Sequence, residues 1–214
     1  MTASMTASTP ASTGAATPAS AAADVSGARR AMIDCQLRVS GVNDPAVLAA
    51  MGKVAREDYL PAEARGHAYI DRAIPLGQGR ALPAPLVHGM MLIEALPRPG
   101  ERVLVVTAGS TYLAALVEAM GALVDSLDAA DLAKVKRGAP GYDLVLIDGA
   151  IEDLPEALTA ALAEGGRVVT GLVLRGVTRL ASGRKLGGVT QLLPLAEVGI
   201  PVLGQFARAK SWSF

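Results

Sequence analysis

Residues 102–128 read "RVLVVTAGSTYLAALVEAMGALVDSLD". Val103–Val106 is a short, β-branched apolar run of the kind that forms a strand buried on both faces. Tyr112–Met120 has helical spacing and stops at Gly121, and Leu123–Leu127 is a second apolar run ending at Asp128. Strand, tight turn, helix, strand and a terminal carboxylate make the layout of a nucleotide-cofactor site, where turn glycines let the backbone lie against the ligand. The turn itself, "TAGST" (107–111), has one glycine, Gly109. Asp128 follows it at about the 20-residue spacing at which a carboxylate meets ribose hydroxyls, accepting two hydrogen bonds from the diol. The same carboxylate can cap a short helix beginning at Ala129, and the two roles are compatible.

The pattern continues on both sides. Downstream, "YDLVLID" (142–148) predicts a buried strand ending at Asp148, "LPEALTAALAEGG" (154–166) a helix, and "RVVTGLVL" (167–174) a strand. "GVTRLASGR" and "GVTQLLPL", joined through "KLGG", predict an antiparallel hairpin. Upstream, residues 28–40 predict a helix with Met32, Cys35, Leu37 and Val39 on its apolar side, closed by Gly41. Asn43 or Asp44 caps the next helix ahead of Pro45, and a third runs over 85–96, stopped by Pro97, Pro99 and Gly100. Alternating strands and helices imply an α/β sandwich with a mostly parallel sheet, preceded by helices and closed by an antiparallel hairpin. Ligands of such sheets bind at the carboxyl ends of the strands, which here carry Thr107–Thr111, Asp128 and Asp148.

Composition narrows the function classes. The 214 residues are 51% hydrophobic but only 3% aromatic, so the core is built from Ala, Val, Leu and Ile. Lys+Arg and Asp+Glu balance at 20 each, which lacks the basic field that nucleic-acid binding needs. A lone Cys35 excludes an internal disulfide and a multi-cysteine zinc site, and no metal site is expected. The best apolar uncharged run, 103–117, is too short for a membrane span. A reducing cytoplasm is the expected setting and a monomer the default state. Residues 1–25, rich in Ala, Ser, Thr and Pro, have neither the basic start nor the apolar core of a secretory signal and read as a disordered tail. Residues 26–100 form a helical and loop module and 101–214 the strand-rich domain, the two making one compact unit. His88, in "PLVHGMML", reads as a helix-surface or satisfied core residue, not a catalyst.

Residues from about 28 to 175 resemble the protein-L-isoaspartate (D-aspartate) O-methyltransferase family of class I S-adenosylmethionine enzymes. The resemblance rests on "AMIDCQLRVSGVNDPAVLAAMGKVAREDYLPAEARGHAYIDRAIPLGQG", in which Gln36, Leu37, Arg56, Glu57, Tyr59, Pro61, Tyr69, Asp71, Pro75, Gly77 and Gly79 fit the family pattern, and continues through "LPRPGERVLVV" and "YDLVLIDGAIEDLPEALTAALAEGGRVV". It implies a Rossmann-like methyltransferase sandwich, S-adenosylmethionine held at Thr107, Gly109, Ser110, Asp128 and Asp148, and a substrate loop at Gly79, Arg80 and Pro83. It also implies a protein or peptide substrate with an isoaspartyl residue. No catalytic acid or base is implied, since a carboxylate is ionised at neutral pH and needs only to be held in line with the methyl donor.

Three departures fall on that site. Threonines 107 and 111 stand where the family turn has glycine, and a left-handed threonine costs roughly 1–3 kcal/mol, or about 5- to 150-fold in affinity. Arg80, Ala81, Leu82 and Pro83 replace a Gln-Thr-Ile-Ser segment, removing two hydroxyls. The connection from Asp128 to Tyr142 omits a strand that the family places beside the adenine. The resemblance therefore carries two readings: a methyltransferase with a weakened site, and a non-catalytic relative that keeps the fold as a binding or scaffolding module.

Overall fold

In the computed structural model, which describes residues 18–136 and 140–207 and the side chains from 25 onward, the run Arg102–Thr107 (β3) is an inner strand of a six-stranded sheet. Helix α1 (Pro18–Met32) passes through a π turn at Ile33–Leu37 and a 3-10 turn at Arg38–Ser40, and Gly41 ends it at φ +90°. Asp44 caps α2 (Pro45–Lys53), its Oδ1 accepting from the amides of Ala46 (2.9 Å) and Val47 (3.0 Å). A two-stranded ribbon, β1 (Ile74–Gly77) with β2 (Arg80–Leu82), leads into α3 (Pro85–Ala95). After β3 come α4 (Tyr112–Ala119), β4 (Leu123–Asp128), a 3-10 turn at Ala129–Lys134, and β5 (Tyr142–Ile151). Helix α5 (Glu156–Ala161) precedes β6 (Leu162–Leu174), β7 (Val177–Leu186) and β8 (Val189–Glu197).

The sheet order is β4-β3-β5-β6-β7-β8, with the first four strands parallel and the last two antiparallel. Two tight turns make the meander. Arg175-Gly176 and Gly187-Gly188 each place two consecutive residues at positive φ, the geometry that matches strand twist in a two-residue hairpin. Residues of β3 and β5 alternate between two cores. Val103, Val105, Leu144 and Leu146 pack with α1, α2, α3 and α4, whereas Leu104, Val106, Val145 and Ile147 pack with Leu158, Leu203 and Phe206. Edge strand β4 is half-exposed, and no described strand pairs outside it, as the short 128–142 connection requires.

Three expectations need correction. Helix α1 begins at Pro18, eight positions inside the stretch expected to be a disordered tail (1–25); an alanine-rich run opening on proline is good helix sequence. The rest of that stretch, 1–17, lies outside the described residues. Cys35 and Val39 are exposed, not on the apolar side, because the π and 3-10 turns rotate the helix face after Met32. The helix expected over 154–166 ends at Ala161, and Leu162 already pairs with Tyr142. Glycines allow that early strand. A Cβ on Gly141 would lie 2.6 Å from the Ala163 amide nitrogen, and one on Gly166 2.9 Å from the Ala163 carbonyl oxygen.

Candidate functional site

The parallel register sets Thr107, the last residue of β3, beside Asp128, the last residue of β4. Between them opens a cavity of about 680 Å³, lined by the 107–111 turn, Asp128, Tyr59, Asp58 and Arg80. The turn is well held. Thr107 Oγ1 donates to the Leu127 carbonyl (3.3 Å), tying the two strand ends together. Ser110 Oγ accepts from the Tyr112 amide (3.3 Å) and donates to the Tyr59 carbonyl (3.4 Å), fixing the start of α4. Thr111 has φ −97°, and Gly109, at φ +94°, is the turn's one left-handed residue. The expected strain from threonine at 107 and 111 is therefore absent: the only position that needs a left-handed backbone has kept its glycine.

Asp128 takes up the capping role and adds an ion pair that the sequence did not foretell. Oδ1 accepts from the Ala130 amide (2.9 Å), capping the 3-10 turn, while Oδ2 is ion-paired with Arg80 at 2.8 Å. Arg80, expected in a substrate loop, reaches from the β1–β2 ribbon across the cavity to the carboxylate. A Cβ on Gly109 would lie 3.0 Å from Arg80 Cδ, so the arginine stem rests on the bare turn. Gly79, at φ +71°, shapes the ribbon tip beside it.

Asp148 and Pro83 sit elsewhere. Asp148 is 1% exposed and does not line the cavity; its Oδ1 is 2.8 Å from His88 Nε2. His88 Nδ1 is 3.1 Å from an Arg56 guanidinium nitrogen, which can only donate, so Nδ1 accepts and the ring proton on Nε2 goes to Asp148. Arg56, fully buried, also donates to the carbonyls of Ala68 (2.8 Å) and Pro83 (2.5 Å). Burial pushes its guanidinium down from the ordinary value, opposed by the nearby Tyr112 and Asp148. Pro83 is thus buried, and its carbonyl anchors the ribbon base to the core. The sequence carried a signal for this chain of contacts: "LVLIDGAI" and "PLVHGMML" each set one ionisable residue in an apolar run, and buried polar groups must find each other.

Residues that matched the family pattern are brought together in a second network. Glu57 accepts from Arg29 (2.8 Å) and from the Tyr69 hydroxyl, which also accepts from Arg29 Nε (2.6 Å). Gln36 donates to the Tyr69 carbonyl (2.9 Å), and Asp71 accepts from the Leu86 amide at the start of α3 (3.4 Å). Burial, then the hydrogen bond to Glu57, pushes the Tyr69 phenol up. These residues fasten α1 and α3 to the segment that carries the ribbon. Among the described residues, no cluster of three or more His, Cys, Asp or Glu could hold a metal, and no helix is long and apolar enough to cross a membrane.

Comparison with known proteins agrees with this fold. The family model described as protein-L-isoaspartate(D-aspartate) O-methyltransferase (PCMT) matches residues 28–126. The chain is 36% identical over 165 residues to the protein-L-isoaspartate O-methyltransferase of Methylorubrum populi, covering 66% of this chain and 78% of that one. To the protein of the same name from Methanoculleus marisnigri it is 31% identical over 203 residues, covering 83% and 92%. Among solved structures, a Plasmodium falciparum protein described as a protein-L-isoaspartate O-methyltransferase, in complex with S-adenosyl-L-homocysteine, superposes with a TM-score of 0.66 at 20% identity. That match covers 85% of this chain and 98% of the other, and shows a shared fold.

Proposed function

Because the chain belongs to the protein-L-isoaspartate O-methyltransferase family, we propose that it binds S-adenosylmethionine in the cavity between β3 and β4 and methylates an isoaspartyl carboxylate of a protein or peptide. The observation that carries the reading is the pairing of Gly109, left-handed at the one turn position that needs it, with Asp128 across an open cavity. When bound, S-adenosylmethionine supplies an electrophilic methyl group on a sulfonium.

The residues present fit that ligand. The Gly109 backbone presents no Cβ to the cavity, Asp128 offers carboxylate oxygens to a ribose diol, and Tyr59 offers an aromatic wall. Thr107 and Ser110 use their hydroxyls to hold the turn, so the backbone is set before any ligand arrives. Asp148 supports from below, through His88, Arg56 and the Pro83 carbonyl. No proton need move, because the acceptor carboxylate is already ionised. The assay is methyl incorporation from S-adenosylmethionine into a synthetic isoaspartyl peptide, with the aspartyl peptide of the same sequence as control. Incorporation confined to the isoaspartyl peptide is expected; equal incorporation into both sinks the isoaspartyl assignment, and absent incorporation leaves the non-catalytic reading.

A further inference from the structure

Arg80 lines two cavities. On one side it shares a cavity with Asp58 and is ion-paired with Asp128 at 2.8 Å. On the other it faces a groove of about 380 Å³ made by residues 78–81, Ala130 and 201–205, in which Arg80 is the only charged side chain among the described residues. The arm that carries it is a ribbon of four and three residues, with Gly77, Gln78 and Gly79 all at positive φ. A two-stranded ribbon is marginally stable by itself, so its tip can shift while Arg56 and the buried Leu82 hold its base. The ion pair, each partner about a third exposed, is weak enough to exchange.

Resting on the function proposed above, we propose that Arg80 is a specificity-determining residue with two alternative partners: Asp128, as seen here, and a carboxylate of the peptide substrate lying in the neutral groove once a ribose diol claims Asp128. The carboxylate in question flanks the one that is methylated. In methyl transfer the acceptor oxygen forms a bond to the methyl carbon while the carbon–sulfur electron pair returns to sulfur, so the acceptor's negative charge disappears. A guanidinium on that oxygen would stabilise the ground state more than the transition state, and so slow the reaction. On a neighbouring aspartate or glutamate it adds affinity without that penalty. Isoaspartyl sites with acidic neighbours are the preferred substrates, and cofactor and acidic peptide strengthen each other's binding.

The test is fluorescence anisotropy with a labelled peptide carrying one isoaspartyl residue flanked by glutamates, against its twin flanked by glutamines, with cofactor absent. Asp128→Asn keeps an oxygen for the Ala130 amide but releases Arg80, whether or not a cofactor ever binds. The glutamate peptide should then bind roughly three- to ten-fold more tightly than to wild type. The glutamine twin should stay unchanged, and adding Arg80→Gln should abolish the gain. S-adenosylhomocysteine added to wild type should reproduce it. A gain in Asp128→Asn without one from S-adenosylhomocysteine upholds the role of Arg80 and removes the cofactor reading. Equal binding of the two peptides by a cooperatively melting Asp128→Asn protein, or a gain that survives Arg80→Gln, overturns the inference.

Discussion

Gly109 and the two threonines around it show how much one φ angle decides. A threonine in a glycine position reads as damage only if that position is left-handed, and neither Thr107 nor Thr111 is. Gly109 is, at +94°, with Arg80 Cδ 3.0 Å from where a Cβ would stand. Gly109→Ala should therefore lower stability by roughly 1–3 kcal/mol. The check is the midpoint of urea unfolding; an unchanged midpoint would mean that the turn is not held in this conformation. Asp128 was legible as a carboxylate at the strand-end cavity from its spacing, and as a cap from the residues after it. Its ion pair with Arg80 was not, because 48 residues separate the partners and only the folded ribbon brings them together.

At the scale of elements, strand β6 holds the end of helix α3 through Arg167. Its guanidinium donates to the carbonyls of Ala95 (2.8 Å) and Leu96 (3.1 Å), which α3 leaves unpaired, and to both Glu101 oxygens (3.0 and 2.7 Å). Burial pushes the Glu101 carboxyl up, but the hydrogen bonds from Arg167 and the Arg98 amide outweigh it and leave it below its ordinary value. A depressed carboxyl contributes stability above its unfolded value and loses it as the pH falls through the folded one. Glu101→Gln should thus cost about 1 kcal/mol at pH 7, and the difference from wild type should shrink toward zero below about pH 4. Thermal melts of both proteins across that range decide it, and a gap that persists in acid would contradict the assignment. Elements with strong local patterns were readable from sequence: Asp44–Pro45 at the start of α2, and the Gly187-Gly188 turn between β7 and β8. The end of α5 was not, since the Ala161–Leu162 switch from helix to strand depends on how closely Gly141 and Gly166 let the chains approach.

For the whole molecule, the sheet's second face depends on the chain's last described segment. The Ala150 amide donates to the Pro201 carbonyl (2.7 Å), the Leu203 amide to the Ala150 carbonyl (2.8 Å), and the Leu203 side chain packs where Gly149 has no Cβ. A Cβ there would lie 2.6 Å from Leu203 Cγ, so Gly149→Ala should push the segment off β5 at a cost of roughly 1–3 kcal/mol. Faster amide exchange at Leu203 than in wild type would show it, and unchanged exchange would refute it. Nothing in "VGIPVLGQF" marked that strap in advance: the contacts that hold it to β5 are long-range and its periodicity is too short to read. The sandwich itself was legible, because alternating apolar runs and helical spacing repeat along the chain. The account as a whole turns on whether the β3–β4 cavity takes an adenosyl ligand. Calorimetric titration of S-adenosylhomocysteine into the full chain and into Asp128→Ala tests that most directly. Micromolar binding to the first, weakened at least ten-fold in the second, is the predicted result. No heat from a wild-type protein that melts cooperatively, or binding indifferent to Asp128, would contradict it.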